Sequence, residues 1–143
     1  MTTNDLVDRV LCNRGKVAVI GASDKVNRPV YDVMSYLKSA GVRLYPINPR
    51  LKEKEILGEK CVSSLADIDG PLDIVSLFIS ARFQEGLRDE LNALPYKPAV
   101  WFQPGTKNSS LEASLREDGF EVVSDNCMKV AHLRRCTAQK QIV

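Results

Sequence analysis

The chain has 143 residues, of which 44% are hydrophobic and 27% are charged, an ordinary composition for one globular domain with a sizeable core. Its net charge of +2 creates no strong field toward nucleic acid or lipid, and no apolar run approaches the length of a membrane span. We therefore expect a single domain over residues 1–143, with no nucleic-acid partner and no membrane partner.

The cysteines give a second compositional constraint. Cys12, Cys61, Cys127 and Cys136 form no C-x-x-C pair, and the N-terminus lacks the basic start and apolar core of a signal peptide. Since disulfides are rare in the cytosol, we expect four reduced thiols and a cytoplasmic location. Cys136 and His132, four residues apart, could share a helix face, but two ligands are too few for a structural metal site, so we expect no metal.

The chain begins with a predicted amphipathic helix over residues 6–11, which Gly15 ends. A strand, a turn and a second helix follow. Residues 17–20 form a short apolar run typical of a buried parallel strand. Gly21-Ala22-Ser23 follows, and Pro29 indicates a helix start because its fixed φ suits the first turn. Such a turn can hold a phosphate, although it is neither G-x-G-x-x-G nor a P-loop. The alternative is an ordinary first turn of an α/β domain.

Strands and helices alternate along the rest of the chain. Apolar runs predict strands at residues 42–47, 60–62, 73–80, 99–102 and 121–124. Helical spacing predicts helices at residues 30–40, 83–94 and 109–118, and after Cys127. Ser64 is expected to cap a brief turn, and Ser109 with Glu112 resembles a capping box. The alternation predicts an α/β fold: a single Rossmann-like domain with a parallel sheet of five or six strands and helices on both faces.

The strand exits of such a sheet lie together at one edge, where a ligand is expected. These exits are Gly21-Ala22-Ser23, Asn48-Pro49-Arg50, Phe78-Ile79-Ser80, Gln103-Pro104-Gly105 and Asn126-Cys127. A domain that binds NAD usually ends its second strand in Asp or Glu, which binds the ribose hydroxyls. Here Asn48 stands in that place, with Arg50 two residues later. This favours a ribose that carries a phosphate, as in NADP or coenzyme A; the alternative is a proline-stiffened loop whose Arg50 faces water.

Four motifs stand in order along the chain. They are Val19-Ile20-Gly21-Ala22-Ser23-Asp24-Lys25 with Arg28-Pro29, then Tyr45-Pro46-Ile47-Asn48-Pro49, then Trp101-Phe102-Gln103-Pro104-Gly105, then Asn126-Cys127-Met128-Lys129 with His132. Together they resemble the small stand-alone CoA-binding proteins of bacteria and archaea. Those proteins are similar to the CoA-binding domain of the succinyl-CoA synthetase alpha subunit. The resemblance covers about residues 16–135, which we take as the core of the domain.

The resemblance implies that coenzyme A or an acyl-CoA lies across the strand ends. It places the phosphate groups at Gly21, Ala22 and Ser23, with Lys25 and Arg28 close by. It places the adenosine and its 3′-phosphate at Asn48, Pro49 and Arg50, and the adenine beside Phe78 and Ile79. The pantetheine arm would then face Gln103, Pro104, Gly105, Asn126 and Cys127.

Catalytic residues are not recognisable from the spacing, which shows no Ser-His-Asp or Cys-His arrangement. Cys127 is either a reactive thiol near a helix N-terminus or a small packed side chain. We expect a non-catalytic module that binds a small-molecule nucleotide ligand, as a monomer or a homodimer. The alternatives are an NADP-dependent reductase, for which little chain remains to build a substrate pocket, and an interaction protein that binds no nucleotide.

Overall fold

A computed structural model describes the backbone of residues 2–142 and the side chains of residues 2–136. The strands in this part of the chain are β1 (Lys16–Ile20), β2 (Arg43–Ile47), β3 (Glu55–Ile56), β4 (Glu59–Lys60), β5 (Ile74–Leu77), β6 (Ala99–Phe102) and β7 (Val122–Val123). The helices are α1 (Thr3–Arg9), α2 (Pro29–Ser39), α3 (Leu87–Asn92), α4 (Ser109–Glu117) and α5 (Met128–Ile142). None of the helices described is long and apolar enough to cross a membrane.

The main sheet has the order β2-β1-β5-β6-β7, and every pair in it is parallel. Outside β2, Val62 forms a single parallel bridge with Ile47 and so marks a rudimentary sixth strand. Counting that bridge, the order in space is the Rossmann order 3-2-1-4-5-6. The direction of strand addition reverses between β1 and β5, so the topological switch point lies between their carboxyl ends. The predicted Rossmann-like parallel sheet is confirmed.

Helices cover both faces of the sheet, which explains why β5 and β6 are buried along their whole length and are apolar except for Ser76, whose hydroxyl donates to the carbonyl of Ala18. Val17 and Val19 of β1 point to the face that packs against α1, α2 and α5, and Ala18 points to the face that packs against α3 and α4. On the first face lies Trp101, which is fully buried, and on the second lies Phe102. The alternation within each strand therefore builds two separate cores.

The helix predicted over residues 83–94 is shorter in the structure. Ala81–Phe83 forms a 3-10 turn, and α3 begins only after Gly86, which has a φ of +82°. This left-handed residue interrupts the helical pattern, and Phe83 is consequently 61% exposed rather than part of the buried helix face.

The position of the α4 cap and the bounds of the small edge strand also differ from expectation by a residue or two. Asn108 rather than Ser109 caps α4: its Oδ1 accepts from the N–H of Leu111, while Glu112 accepts from the N–H of Asn108. The predicted strand at residues 60–62 is divided, because β4 pairs with β3 as a hairpin and the bridge to β2 comes after it. The predicted Ser64 cap is confirmed, with Asp67 completing its capping box.

A disulfide joins Cys12 and Cys136, which corrects the expectation of four reduced thiols. The two residues are 124 positions apart, and α5 brings them together by running back along the sheet beside α1. One residue before Cys136, Arg135 pairs with Asp8, with 2.6 Å between Nε and Oδ1. The C-terminal helix is thus fixed to the turn that precedes β1.

Reduction of this disulfide is expected to lower the free energy of unfolding by about 2–4 kcal/mol, because the cross-link restricts the unfolded chain. Urea unfolding with and without dithiothreitol measures the loss. The Cys12→Ser variant should unfold like the reduced wild type and should not respond to the reductant. Equal stability of the oxidised and reduced wild-type protein would contradict the stabilising role assigned to the bond.

Candidate functional site

The carboxyl ends of β1, β2, β5 and β6 surround a pocket of about 610 Å³ at the topological switch point. Its size lies within the range of roughly 300–1,000 Å³ that is usual for small-molecule sites. Most of the residues predicted for a ligand site line it: Gly21, Ala22, Ser23, Lys25, Arg28, Asn48, Arg50, Phe78, Pro104 and Gly105. The edge predicted from strand topology is therefore where the structure forms a pocket.

Five predicted residues lie outside the lining: Pro49, Ile79, Gln103, Asn126 and Cys127. Pro49, Ile79 and Gln103 adjoin lining residues in sequence, whereas Asn126 and Cys127 follow β7 and do not. Six further lining residues were not among the predicted ligand residues: Asp24, Pro29, Val30, Leu51, Ser80 and Thr106. Val30 was hidden because it also belongs to the apolar stripe of α2, whereas Ser80 and Thr106 carried no signal beyond their place after a strand.

Gly21 allows the strand ends to approach one another closely. Its φ is +91°, and a Cβ at this position would lie 2.8 Å from Cγ2 of Ile79. The N–H groups of Gly21 and Ala22 both donate to the carbonyl of Ile47, at 3.0 and 3.3 Å. These two amides close the turn against β2, so an anion at this turn would be held by groups that begin at Ser23.

Cationic side chains dominate the charge of the lining. Lys25, Arg28 and Arg50 are exposed there, against the single carboxylate of Asp24. The N-terminus of α2, with Pro29 as its first residue, also borders the pocket and adds the positive end of a helix dipole. The electrostatics of the site therefore favour an anionic ligand.

Asn48 fixes the position of Arg50. Its Nδ2 donates to the carbonyl of Ala22 at 2.8 Å, and its Oδ1 accepts from the N–H of Arg50 at 3.0 Å. The second bond caps the 3-10 turn Pro49–Leu51, whose residues Arg50 and Leu51 line the pocket. An aspartate here could not donate to Ala22, so the local structure needs the amide, and the end of β2 therefore carries no carboxylate.

Behind the β6 exit, Gln103 contacts the start of α5. Gln103 is 2% exposed, and its Oε1 accepts from the N–H of Met128 at 3.3 Å. Its Nε2 is buried and has no hydrogen-bond partner among the described residues. Trp101 donates its indole N–H to the carbonyl of Asn126 at 2.7 Å, and the half-buried Cys127 follows. An unsatisfied donor therefore lies next to the lining residues Pro104 and Gly105.

The free thiol of Cys61 and the imidazole of His132 lie outside the pocket lining. Cys61 is fully buried, and burial raises the pKa of its thiol, which keeps it protonated. His132 is 4% exposed between α5 and α2, where its Nδ1 and the Tyr36 hydroxyl are joined by a hydrogen bond of 2.7 Å. The His132 and Cys136 pair considered as metal ligands is engaged otherwise, by that bond and by the disulfide.

The fold and the pocket define a Rossmann-like domain with a cationic, partly apolar ligand site at its switch point. The sequence of residues 15–133 matches the CoA binding domain family. The chain belongs to that family, and the resemblance drawn from the four motifs is confirmed.

The similarity to other proteins extends over most of the chain. The uncharacterized Bacillus subtilis protein YneT is 36% identical over 126 residues, which are 88% of this chain and 91% of that protein. The ADP-forming acetate–CoA ligase of Methanocaldococcus jannaschii is 29% identical over 121 residues, which are 80% of this chain but 17% of the ligase. The solved structure of cell-free ID.343 from Thermus thermophilus has a TM-score of 0.85 at 34% identity, covering 93% of this chain and 98% of that one.

Gly21→Ala is expected to lower the free energy of unfolding by more than the roughly 1–2 kcal/mol that a left-handed backbone costs an L-residue, because its Cβ would also contact Ile79. Gly105→Ala is the matched control, since its φ is +86° and a Cβ there would meet nothing within 4 Å. Urea unfolding measures the loss of stability in both variants. The difference between the two losses is the contribution of the contact between the new Cβ and Ile79. Equal losses would show that the close approach at Gly21 adds nothing.

Proposed function

We propose that the chain binds coenzyme A or an acyl-CoA in this pocket. The observation that carries the proposal is the convergence of Lys25, Arg28 and Arg50 beside a small-residue turn at the switch point. Coenzyme A carries a diphosphate and a 3′-phosphate, and charge-assisted hydrogen bonds from such side chains suit both. Membership of the CoA binding domain family supports the choice of this ligand over other anions.

The chemistry of the lining suggests how the ligand lies. The diphosphate suits Ser23 and the start of α2, and the 3′-phosphate suits Arg50 with Arg28. The adenine suits the apolar side near Phe78, with Ile79 behind it. The pantetheine arm suits the opposite side, where a Cβ at Gly105 would meet nothing within 4 Å and Gln103 lies two residues earlier in the chain. An amide carbonyl of the arm would satisfy the unpartnered Nε2 of Gln103.

We assign no reaction to the pocket and take the chain to be a binding module. The buried thiol of Cys61 and the Tyr36-bonded His132 support this view, because both are engaged outside the lining. The expected monomer or homodimer, the cytoplasmic location and the absence of a nucleic-acid partner stay predictions.

Isothermal titration with coenzyme A, dephospho-CoA and NADP tests the proposal. Coenzyme A is expected to bind most tightly of the three. Tighter binding of NADP would contradict the proposal and favour the reductase alternative. The absence of heat with all three ligands would favour an interaction protein instead.

Dephospho-CoA is expected to bind more weakly than coenzyme A by about 1–3 kcal/mol, the size of a charge-assisted hydrogen bond. In Arg50→Ala this difference should shrink, because the 3′-phosphate loses its partner. Lys52→Ala is the control: it removes an exposed cation two residues away that does not line the pocket, and it should keep the full difference. Equal affinities of wild type for the two ligands would remove the assignment of Arg50 to the 3′-phosphate.

A further inference from the structure

Gln84 is a buried polar residue in the loop between β5 and α3, and it has no place in the site described so far. It is 3% exposed. Its Nε2 donates to the carbonyls of Ile79 and Thr106, at 3.0 and 2.8 Å, and its Oε1 accepts from Nδ2 of Asn108 at 3.1 Å. Both hydrogens of the side-chain amide are therefore bound, each by a different loop.

The two loops form one wall of the pocket. The β5 loop, residues 78–86, contributes Phe78 and Ser80, and the β6 loop, residues 103–108, contributes Pro104, Gly105 and Thr106. The last backbone bond between them runs from the N–H of Gln103 to the carbonyl of Leu77, at 3.4 Å. Beyond that point, in the described part of the chain, the hydrogen bonds that join the loops are those of Gln84.

Apart from the bond between Gln103 and Met128 of α5 and the cap that Asn108 provides to α4, the β6 loop is otherwise closed only upon itself. Thr106 donates both its N–H and its hydroxyl to the carbonyl of Gln103, at 3.1 and 2.7 Å. Its own carbonyl then accepts from Gln84, and Asn108, which also bonds to Gln84, caps α4. One glutamine side chain therefore sets the positions of Thr106 and of the α4 cap relative to the residues that follow β5.

We infer that Gln84 is a positioning residue for the ligand: it does not line the Gly21–Arg50 pocket but fixes the separation of the β5 and β6 loops that form its wall. This inference rests on the proposed function. Replacing the amide by an apolar group leaves the carbonyls of Ile79 and Thr106 without their donor. The loops would then move apart or take up water, and the wall would no longer match the ligand.

Gln84→Met keeps the length of the side chain and removes both donors. It is expected to weaken coenzyme A binding about tenfold, the equivalent of one net hydrogen bond or slightly more. Asn92→Leu is the matched control, because the Nδ2 of Asn92 also makes two bonds, to the carbonyl of Arg88 and to Asp118, but outside the pocket lining. The control should lose stability while binding coenzyme A like the wild type.

Titration calorimetry measures the effect of Gln84 on ligand affinity. Hydrogen–deuterium exchange of the free proteins measures its effect on the β5 and β6 loops. Exchange of residues 103–108 should increase in Gln84→Met and not in Asn92→Leu. Affinity of Gln84→Met within twofold of wild type, or unchanged exchange of residues 103–108, would overturn the inference. If Gln84→Met does not fold, exchange of the wild type decides, since coenzyme A should then protect both loops together, and protection of only one overturns it.

The proposed function can fail independently of the inference about Gln84. It fails if the wild-type protein itself does not bind coenzyme A. In that case exchange of the free Gln84→Met protein still decides whether Gln84 fixes the two loops.

Discussion

The close approach of the β1 exit to the ends of β2 and β5 is the constraint on which the site depends. Gly21 lacks the Cβ that would meet Ile79, and its N–H joins that of Ala22 in bonding to Ile47. Neighbouring parallel strands are only about 4.8 Å apart, so a Cβ at residue 21 would be forced against Ile79 and the backbone of Phe78. The turn can lie this close to the end of β5 because residue 21 has no side chain.

This constraint engages the first two amides after β1, which therefore do not face the pocket as free donors. In dinucleotide-binding turns the amides at a helix N-terminus hold the diphosphate. Here the first two amides after β1 hold the carbonyl of β2, and residues 21–28 separate β1 from α2. Lys25 and Arg28 lie in that longer segment, and Arg50 is brought opposite them by the Asn48 cap. The lining therefore presents positive charge from side chains of two separate loops.

The sheet and the location of the site could be predicted because they depend on local patterns. Buried parallel strands appear in the sequence as apolar runs, and parallel topology brings their carboxyl ends to one edge of the sheet. The disulfide could not be predicted, since Cys12 and Cys136 meet only after α5 packs along the sheet. Gln84 gave no signal either, because a glutamine in a loop is usually exposed and its burial here depends on carbonyls from two separate loops.

The two sides of the ligand site are held in different ways. On one side, α5 is attached between Met128 and Cys136, to Gln103 of the β6 loop, to Asp32 through Lys129, and to Cys12 through the disulfide. The ion pair is partly exposed and contributes little, but the helix also packs into the core. On the other side, the β5 and β6 loops are joined beyond their last backbone bond by one amide. Gln103 thus joins the start of the β6 loop to α5, whereas residues 106–108 of the same loop are joined to the β5 loop by one amide, which a single substitution can remove.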